Sequence, residues 1–119
     1  MVTTKRVYDP PGPDDGYRVL IDRLWPRGMS KARAHFDAWL RDLGPSPELR
    51  RWFGHDPARW EEFRRQYQAE LSRPEKQALI EDLVQRARHG TLTLLYGSRE
   101  QRFNDATVLQ ELIEGELAK

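Results

Sequence analysis

The sequence predicts an α/β fold: one compact domain with a small, mainly parallel sheet and helices packed on it. Three observations carry that expectation. Short β-branched or apolar runs alternate with longer amphipathic ones, the order that favours a parallel sheet. The run Val19-Leu20-Ile21 is continuously apolar, as in a strand buried on both faces. Within 119 residues no internal repeat or linker marks a second unit, so a single domain spanning residues 1–119 is expected.

The elements follow in order. Thr3–Tyr8 reads as a short strand, closed by the turn cluster Asp9-Pro10-Pro11-Gly12-Pro13-Asp14-Asp15-Gly16. Tyr17–Asp22 is the second strand, after which Pro26 and Gly28 break the chain. Ser30 caps a short helical turn. Phe36–Leu43 fits a helix or an edge strand equally, because its apolar spacing follows neither period.

The middle of the chain is punctuated more clearly. Ser46-Pro47 sets a cap residue before a proline at the first helical position, and Gly54 can close the helix Pro47–Phe53. Asp56-Pro57 repeats the device for a longer helix to about Leu71, with Trp60, Phe63, Tyr67 and Leu71 on one face. Pro74 begins a helix through Arg88 with the stripe Leu79, Ile80, Leu83, Val84 and Ala87, and Gly90 ends it. Thr91–Tyr96 is the best strand in the chain. Asn104 or Asp105 caps a last helix carrying Val108, Leu109, Leu112, Ile113 and Leu117.

Composition removes several function classes. There are no cysteines, which excludes a disulfide scaffold, a thiol nucleophile and a Cys-ligated zinc site. No apolar run approaches the roughly 18 residues of a membrane span, and Met1–Lys5 opens no signal-peptide pattern, so a cytoplasmic, non-membrane protein is expected. The formal charge is only +1, weak for a duplex-DNA binder. Its placement is uneven: residues 17–73 carry twelve bases against eight acids and all four tryptophans, whereas residues 104–119 carry four acids and one lysine. Bases interleaved with aromatics suit phosphate contact and stacking on nucleic acid; the competing reading is a helical surface whose tryptophans are core.

In parallel sheets, ligands sit beyond the carboxyl ends of the strands. Asp22-Arg23-Leu24-Trp25-Pro26-Arg27-Gly28 follows the second strand and Gly97-Ser98-Arg99-Glu100 follows the last. If those two strands are parallel neighbours, Arg23, Arg27 and Arg99 converge on one crevice. Guanidiniums present planar forks of donors that suit phosphate or carboxylate, so a small anionic ligand is the expected partner. Trp25, Ser98 and Asn104 complete the expected binding set, with backbone N–H groups near the start of the last helix. The alternative is that Arg23 pairs with Asp22, Asp56 or Glu62 in a structural network.

His55 is the candidate general base and Asp22 the candidate orienting carboxylate, should the crevice be catalytic. Asp56, beside His55, is explained by helix capping. The three histidines, at 35, 55 and 89, have no helix-face ligand spacing. Carboxylates such as Asp22 with Asp56 or Glu62 suit magnesium, yet no paired motif is present and no metal site is expected. Gly97-Ser98 lacks the second glycine of a hydrolase elbow, and neither a phosphate loop nor a dinucleotide fingerprint occurs, so no cofactor is expected.

Arg18-Val19-Leu20-Ile21-Asp22-Arg23-Leu24-Trp25-Pro26-Arg27-Gly28, then Trp39-Leu40, Pro45-Ser46, Leu49-Arg50 and Trp52-Phe53-Gly54-His55-Asp56-Pro57, resemble the YeaO-like family, a bacterial and archaeal domain of unknown function (DUF 488). The likeness continues through Trp60-Glu61-Glu62-Phe63, Tyr67, Glu70-Leu71 and Thr93-Leu94-Leu95-Tyr96 to Asn104 and Val108-Leu109, covering nearly the whole chain. It implies a compact α/β domain and carries over no catalytic residues. The family's shared polar positions correspond to Asp22, Arg23, Arg27, His55, Asp56, Arg99 and Asn104. The chain departs from that pattern at Phe103, where the family often has histidine, at Asp105, where histidine or asparagine is frequent, and at Glu100, a usual aspartate position.

Three functions from different classes are therefore expected to compete. One is a domain binding a phosphate-bearing or otherwise anionic ligand in the arginine crevice. Another is a hydrolase-type enzyme on a phosphorylated or nucleic-acid substrate. The third is a protein- or nucleic-acid-interaction module using the Trp- and Arg-rich helical face.

Overall fold

A computed structural model describes all residues, 1–119. Four strands, β1 (Val2–Arg6), β2 (Tyr17–Leu20), β3 (Ala38–Trp39) and β4 (Leu92–Tyr96), form one sheet in the order β1-β4-β2-β3. Every pairing in it is parallel, so the fold is α/β with a wholly parallel sheet. The helices are α1 (Lys31–Ala34), α2 (Pro47–Phe53), α3 (Trp60–Leu71), α4 (Pro74–Arg88) and α5 (Asp105–Leu117). None of them is long and apolar enough to cross a membrane.

β4 sits at the centre because it alone is apolar enough to be buried along its whole length. Alternation divides its side chains. Leu92, Leu94 and Tyr96 join Val2, Val19 and Ile21 in a core of 21 buried residues with α2–α5. Leu95 turns the other way, to a smaller cluster with Val7, Leu20, Met29 and Ala34, edged by Trp25, Phe36 and Trp39. The long helices thus cover one face of the sheet, and α1 with its flanking loops covers the other.

The polar groups of that thinner face are paired. Thr3 and Thr93 share a hydroxyl hydrogen bond of 3.0 Å. Arg18, only 5% exposed, donates to the carbonyls of His35 (2.7 Å) and Ala34 (3.0 Å) and pairs with Asp15. Gly16 lets the proline-rich return loop enter β2. Its φ is +64°, and a Cβ there would lie 2.1 Å from the Thr91 carbonyl oxygen.

Several boundaries differ from the sequence expectation. β1 and β2 end earlier than Tyr8 and Asp22, although Val7 N–H still donates to Tyr96 O (2.8 Å) and Ile21 N–H to Leu95 O (3.3 Å). The ambiguous stretch 36–43 is neither a helix nor a full strand. Two of its residues pair with β2 at the sheet edge, and Arg41–Leu43 then tightens into a 3-10 turn. Pro57–Arg59 is likewise a 3-10 turn, capped by Asp56 (Oδ1 accepting from Ala58 N–H, 3.0 Å), so α3 begins at Trp60. Asn104, not Asp105, caps α5, in a capping box with Thr107.

Candidate functional site

Because β2 and β4 are parallel neighbours, the segments leaving their carboxyl ends open onto the same space. A cleft of about 630 Å³ lies there, within the usual range for small-molecule sites. Its walls come from the segment after β2 (Asp22–Arg27), the turn after β4 (Gly97, Ser98), the start of α5 and the C-terminal end of α2.

The floor is acidic. Asp22 leaves β2 pointing toward the β4 turn, and its Oδ2 accepts from Gly97 N–H at 2.7 Å. A Cβ at 97 would stand 3.1 Å from that same oxygen, a tight contact that only a small shift of the Asp22 side chain would relieve. Asp105, at the first position of α5, shares a hydrogen bond with Asp22. Asp105 is half-buried and lines the cleft. Burial is the main cause that raises its carboxyl well above the ordinary value of 3.8, and the Asp22 charge adds to it. Asp22 is also raised by burial, against the opposing pull of Asp105, the Gly97 amide, Arg50 and His55. Burial thus favours the protonated form at both carboxyls of the pair, most strongly at Asp105.

The rim is cationic. Arg27 and Arg50 are exposed at the mouth. Arg27 takes part in a side-chain hydrogen bond only through its carbonyl, which accepts from the Tyr8 hydroxyl (2.7 Å). Arg50 is engaged through its backbone within α2, and its charge acts on Asp22. His55 stands at the same mouth, following Gly54, with both residues in the left-handed region at φ +57° and +54°. A histidine in that region is uncommon and draws attention to the site. Phe53, Phe63 and Phe103 supply the apolar wall; Phe53 and Phe63 stack at 4.3 Å.

Of the residues singled out in the sequence, Asp22, Arg23, Trp25, Arg27, His55, Ser98 and Asn104 line this cleft. Arg99 is exposed and lies outside its lining. The guanidinium of Arg23 is engaged by backbone: it donates to Gly44 O (2.9 Å) and Pro45 O (3.0 Å), and forms no ion pair with Asp22, Asp56 or Glu62. Trp25 donates through Nε1 to Met29 O (2.7 Å) and meets Phe36 and Trp39 edge-on, at 5.5 and 5.2 Å. The Asn104 side chain is spent on the cap of α5 and on Glu100 O (2.8 Å). Asp56 and Glu62 are engaged by Ala58 N–H and by Arg65.

Residues 1–119 match the family described as the inactive DUF488-N3 subclade. The uncharacterised protein YeaO of Escherichia coli K12 is 42% identical over 110 residues, 92% of this chain and 94% of the relative. The chain belongs to the YeaO-like DUF488 family. The uncharacterised proteins Rv3073c of Mycobacterium tuberculosis H37Rv and Mb3100c of Mycobacterium bovis are each 38% identical over 114 residues, covering 96% of this chain and 94% of theirs. No solved structure gives a significant match.

Two departures from the DUF488 pattern fall inside the cleft. Phe103 stacks obliquely on Trp60 at 5.2 Å, so an aromatic wall occupies the position where the resemblance implies histidine. Asp105 gives this DUF488 chain its second floor carboxyl. In the sequence Asp105 stands only as one of two candidate caps and Arg50 only within the family resemblance, and neither was legible as a cleft residue. For Asp105 a usable signal was the exchange of a frequent histidine or asparagine for a carboxylate beside a crevice that already held Asp22.

Proposed function

We propose that this chain is a cytoplasmic binding domain for a small phosphate-bearing or otherwise anionic ligand, taken into the arginine-lined crevice at the strand carboxyl ends. The observation that carries the reading is that Arg27 and Arg50 stand at the mouth of a 630 Å³ cleft with guanidiniums that no carboxylate occupies. Such forks bind phosphate or carboxylate bidentately, and His55 adds a third donor at the same mouth. Arg23 serves the site indirectly, by bracing the Gly44-Pro45 wall.

A hydrolase-type reading, with His55 as base and Asp22 as orienting group, is favoured by one observation, the left-handed conformation that brings His55 to the cleft. Against it stands the description of the family subclade as inactive.

Thermal unfolding with inorganic phosphate, adenosine 5′-monophosphate and citrate tests the binding reading. A ligand at a hundredfold excess over its Kd is expected to stabilise the fold by about 2.7 kcal/mol. Arg27→Ala and Arg50→Ala should abolish that shift without lowering the unliganded melting temperature, because both side chains are exposed. No shift with any of the three anions overturns the proposal, and phosphoester turnover with loss in His55→Ala replaces it with the hydrolase reading.

A further inference from the structure

We propose that the ligand is a phosphate monoester that also carries hydroxyl groups, its phosphate held at the Arg27–Arg50 rim and its hydroxyls donating to Asp22 and Asp105 on the floor. The inference rests on the anion-binding reading and goes beyond it by assigning the inner half of the cleft.

The cleft has two ends of opposite character. Exposed arginines and a histidine stand at the mouth, two half-buried carboxyls lie deeper, and three phenylalanines line the same cleft. A simple anion is attracted by the first end and repelled by the second. It would also leave most of a 630 Å³ space unfilled. A ligand that satisfies the whole cleft has to be anionic at one end and rich in hydrogen-bond donors at the other.

The donors have to be neutral. Asp22 and Asp105 line the same part of the cleft, and burial raises both carboxyls, which reduces the negative charge they present together. Arg50 and His55 already act on Asp22 as counter-charges, which leaves little attraction for an ammonium group. Hydroxyls fit: a carboxyl oxygen has two lone pairs, so Asp22 and Asp105 can accept from a polyol beside the bonds they already make to the Gly97 amide, to the start of α5 and to each other. Covering these acceptors with a ligand costs free energy unless the ligand hydrogen-bonds them, which hydroxyls do. The Phe53, Phe63 and Phe103 wall then faces the carbon framework linking the two ends. The same floor is a poor cation site. The molecule contains no group of three or more acidic or imidazole side chains placed to hold a metal.

Calorimetric titration with five compounds tests the inference: inorganic phosphate, ribose, ribose 5-phosphate, adenosine 5′-monophosphate and O-phosphoethanolamine. Ribose 5-phosphate is expected to bind at least tenfold tighter than inorganic phosphate and than ribose. In Asp105→Asn, which exchanges an acceptor oxygen for a donor, that advantage should shrink to threefold or less while phosphate affinity is retained. Should the variant fail to fold, the comparison among compounds on the unaltered chain decides alone. Equal affinity for phosphate and ribose 5-phosphate overturns this inference and leaves the anion-binding reading standing, as does tightest binding of O-phosphoethanolamine. If no phosphate compound binds, or ribose binds as well as its phosphate, the anion-binding reading itself falls. Adenosine 5′-monophosphate separates the two sources of this chemistry: tighter binding than ribose 5-phosphate identifies a nucleotide, and weaker or equal binding a sugar phosphate.

Discussion

Arg23 and Asp105 show how far one side chain's role depends on partners remote in the chain. Arg23 bonds two consecutive carbonyls, at Gly44 and Pro45, and so ties the segment after β2 to the entry of α2. Arg23→Ala is expected to cost about 1–3 kcal/mol in denaturant unfolding, since two part-buried acceptors lose a charged donor. Arg27→Ala should cost almost nothing. Nothing in the sequence distinguishes these two arginines, because a carbonyl acceptor leaves no mark in residue type. Asp22 was legible as a site residue from its place at a strand end. Its partnership with Asp105 was not, because the two positions are 83 residues apart and meet only when the α5 start folds over the β4 turn.

The raised carboxyls make a pH prediction at the same scale. Arg50, His55, the Gly97 amide and the Tyr67 side chain surround the pair, and burial outweighs the cations among them. A raised carboxyl means that the native state holds a proton the unfolded chain has released. The pair's contribution to stability is therefore complete below the ordinary value of 3.8 and falls as pH rises from there through the folded value. Asp105→Asn removes the larger part of that dependence. Its melting temperature relative to the unaltered chain is expected to climb between pH 4 and pH 7; a constant difference across that range contradicts the assignment.

Among the elements, α2 is the one whose sequence signals translate most directly into structure. Ser46 accepts from Leu49 N–H (3.2 Å), Pro47 follows it, and Gly54 closes the helix. The tertiary half of the arrangement was hidden: Glu70 of α3 receives both Ser46 N–H (2.9 Å) and its hydroxyl (2.6 Å), clamping the two helices. Ser46→Ala is expected to cost about 1–2 kcal/mol in thermal or urea unfolding, at the upper end for a cap because the clamp is lost with it. As α2 carries Arg50 and leads into His55, that loosening should also weaken ligand affinity. β3 is the opposite case. Its two residues pair with β2 only because the chain passes the sheet edge there, and Trp39 is fixed by donating to Asp22 O (2.7 Å). No periodicity can announce a strand of two residues. The 3-10 turns at Arg41–Leu43 and Pro57–Arg59 are invisible for a similar reason, being single turns tightened by what packs on either side.

For the whole molecule, the parallel sheet follows from the alternation of runs, and a cleft beyond its strand ends follows from the parallel sheet. What the sequence could not supply was the strand order. With β4 inserted between β1 and β2, three strand ends open on one space, and Tyr8, Asp22 and Gly97 become neighbours. The tryptophans also divide unevenly. Trp60 is core, Trp25 and Trp39 edge the smaller cluster, and Trp52 is 39% exposed under the Arg59 guanidinium. They form no continuous stacking face.

The central claim, that the cleft beyond β2 and β4 holds the ligand, is tested most directly by mapping backbone amide shifts during a titration with ribose 5-phosphate. Concentration-dependent shifts at Arg27, Arg50, His55, Gly97, Ser98 and Asp105, with the far ends of α3 and α4 unchanged, are the result expected. Shifts confined to Met29, Phe36 and Trp39 in the aromatic groove beyond Trp25, or spread along the outer helical face, would contradict it.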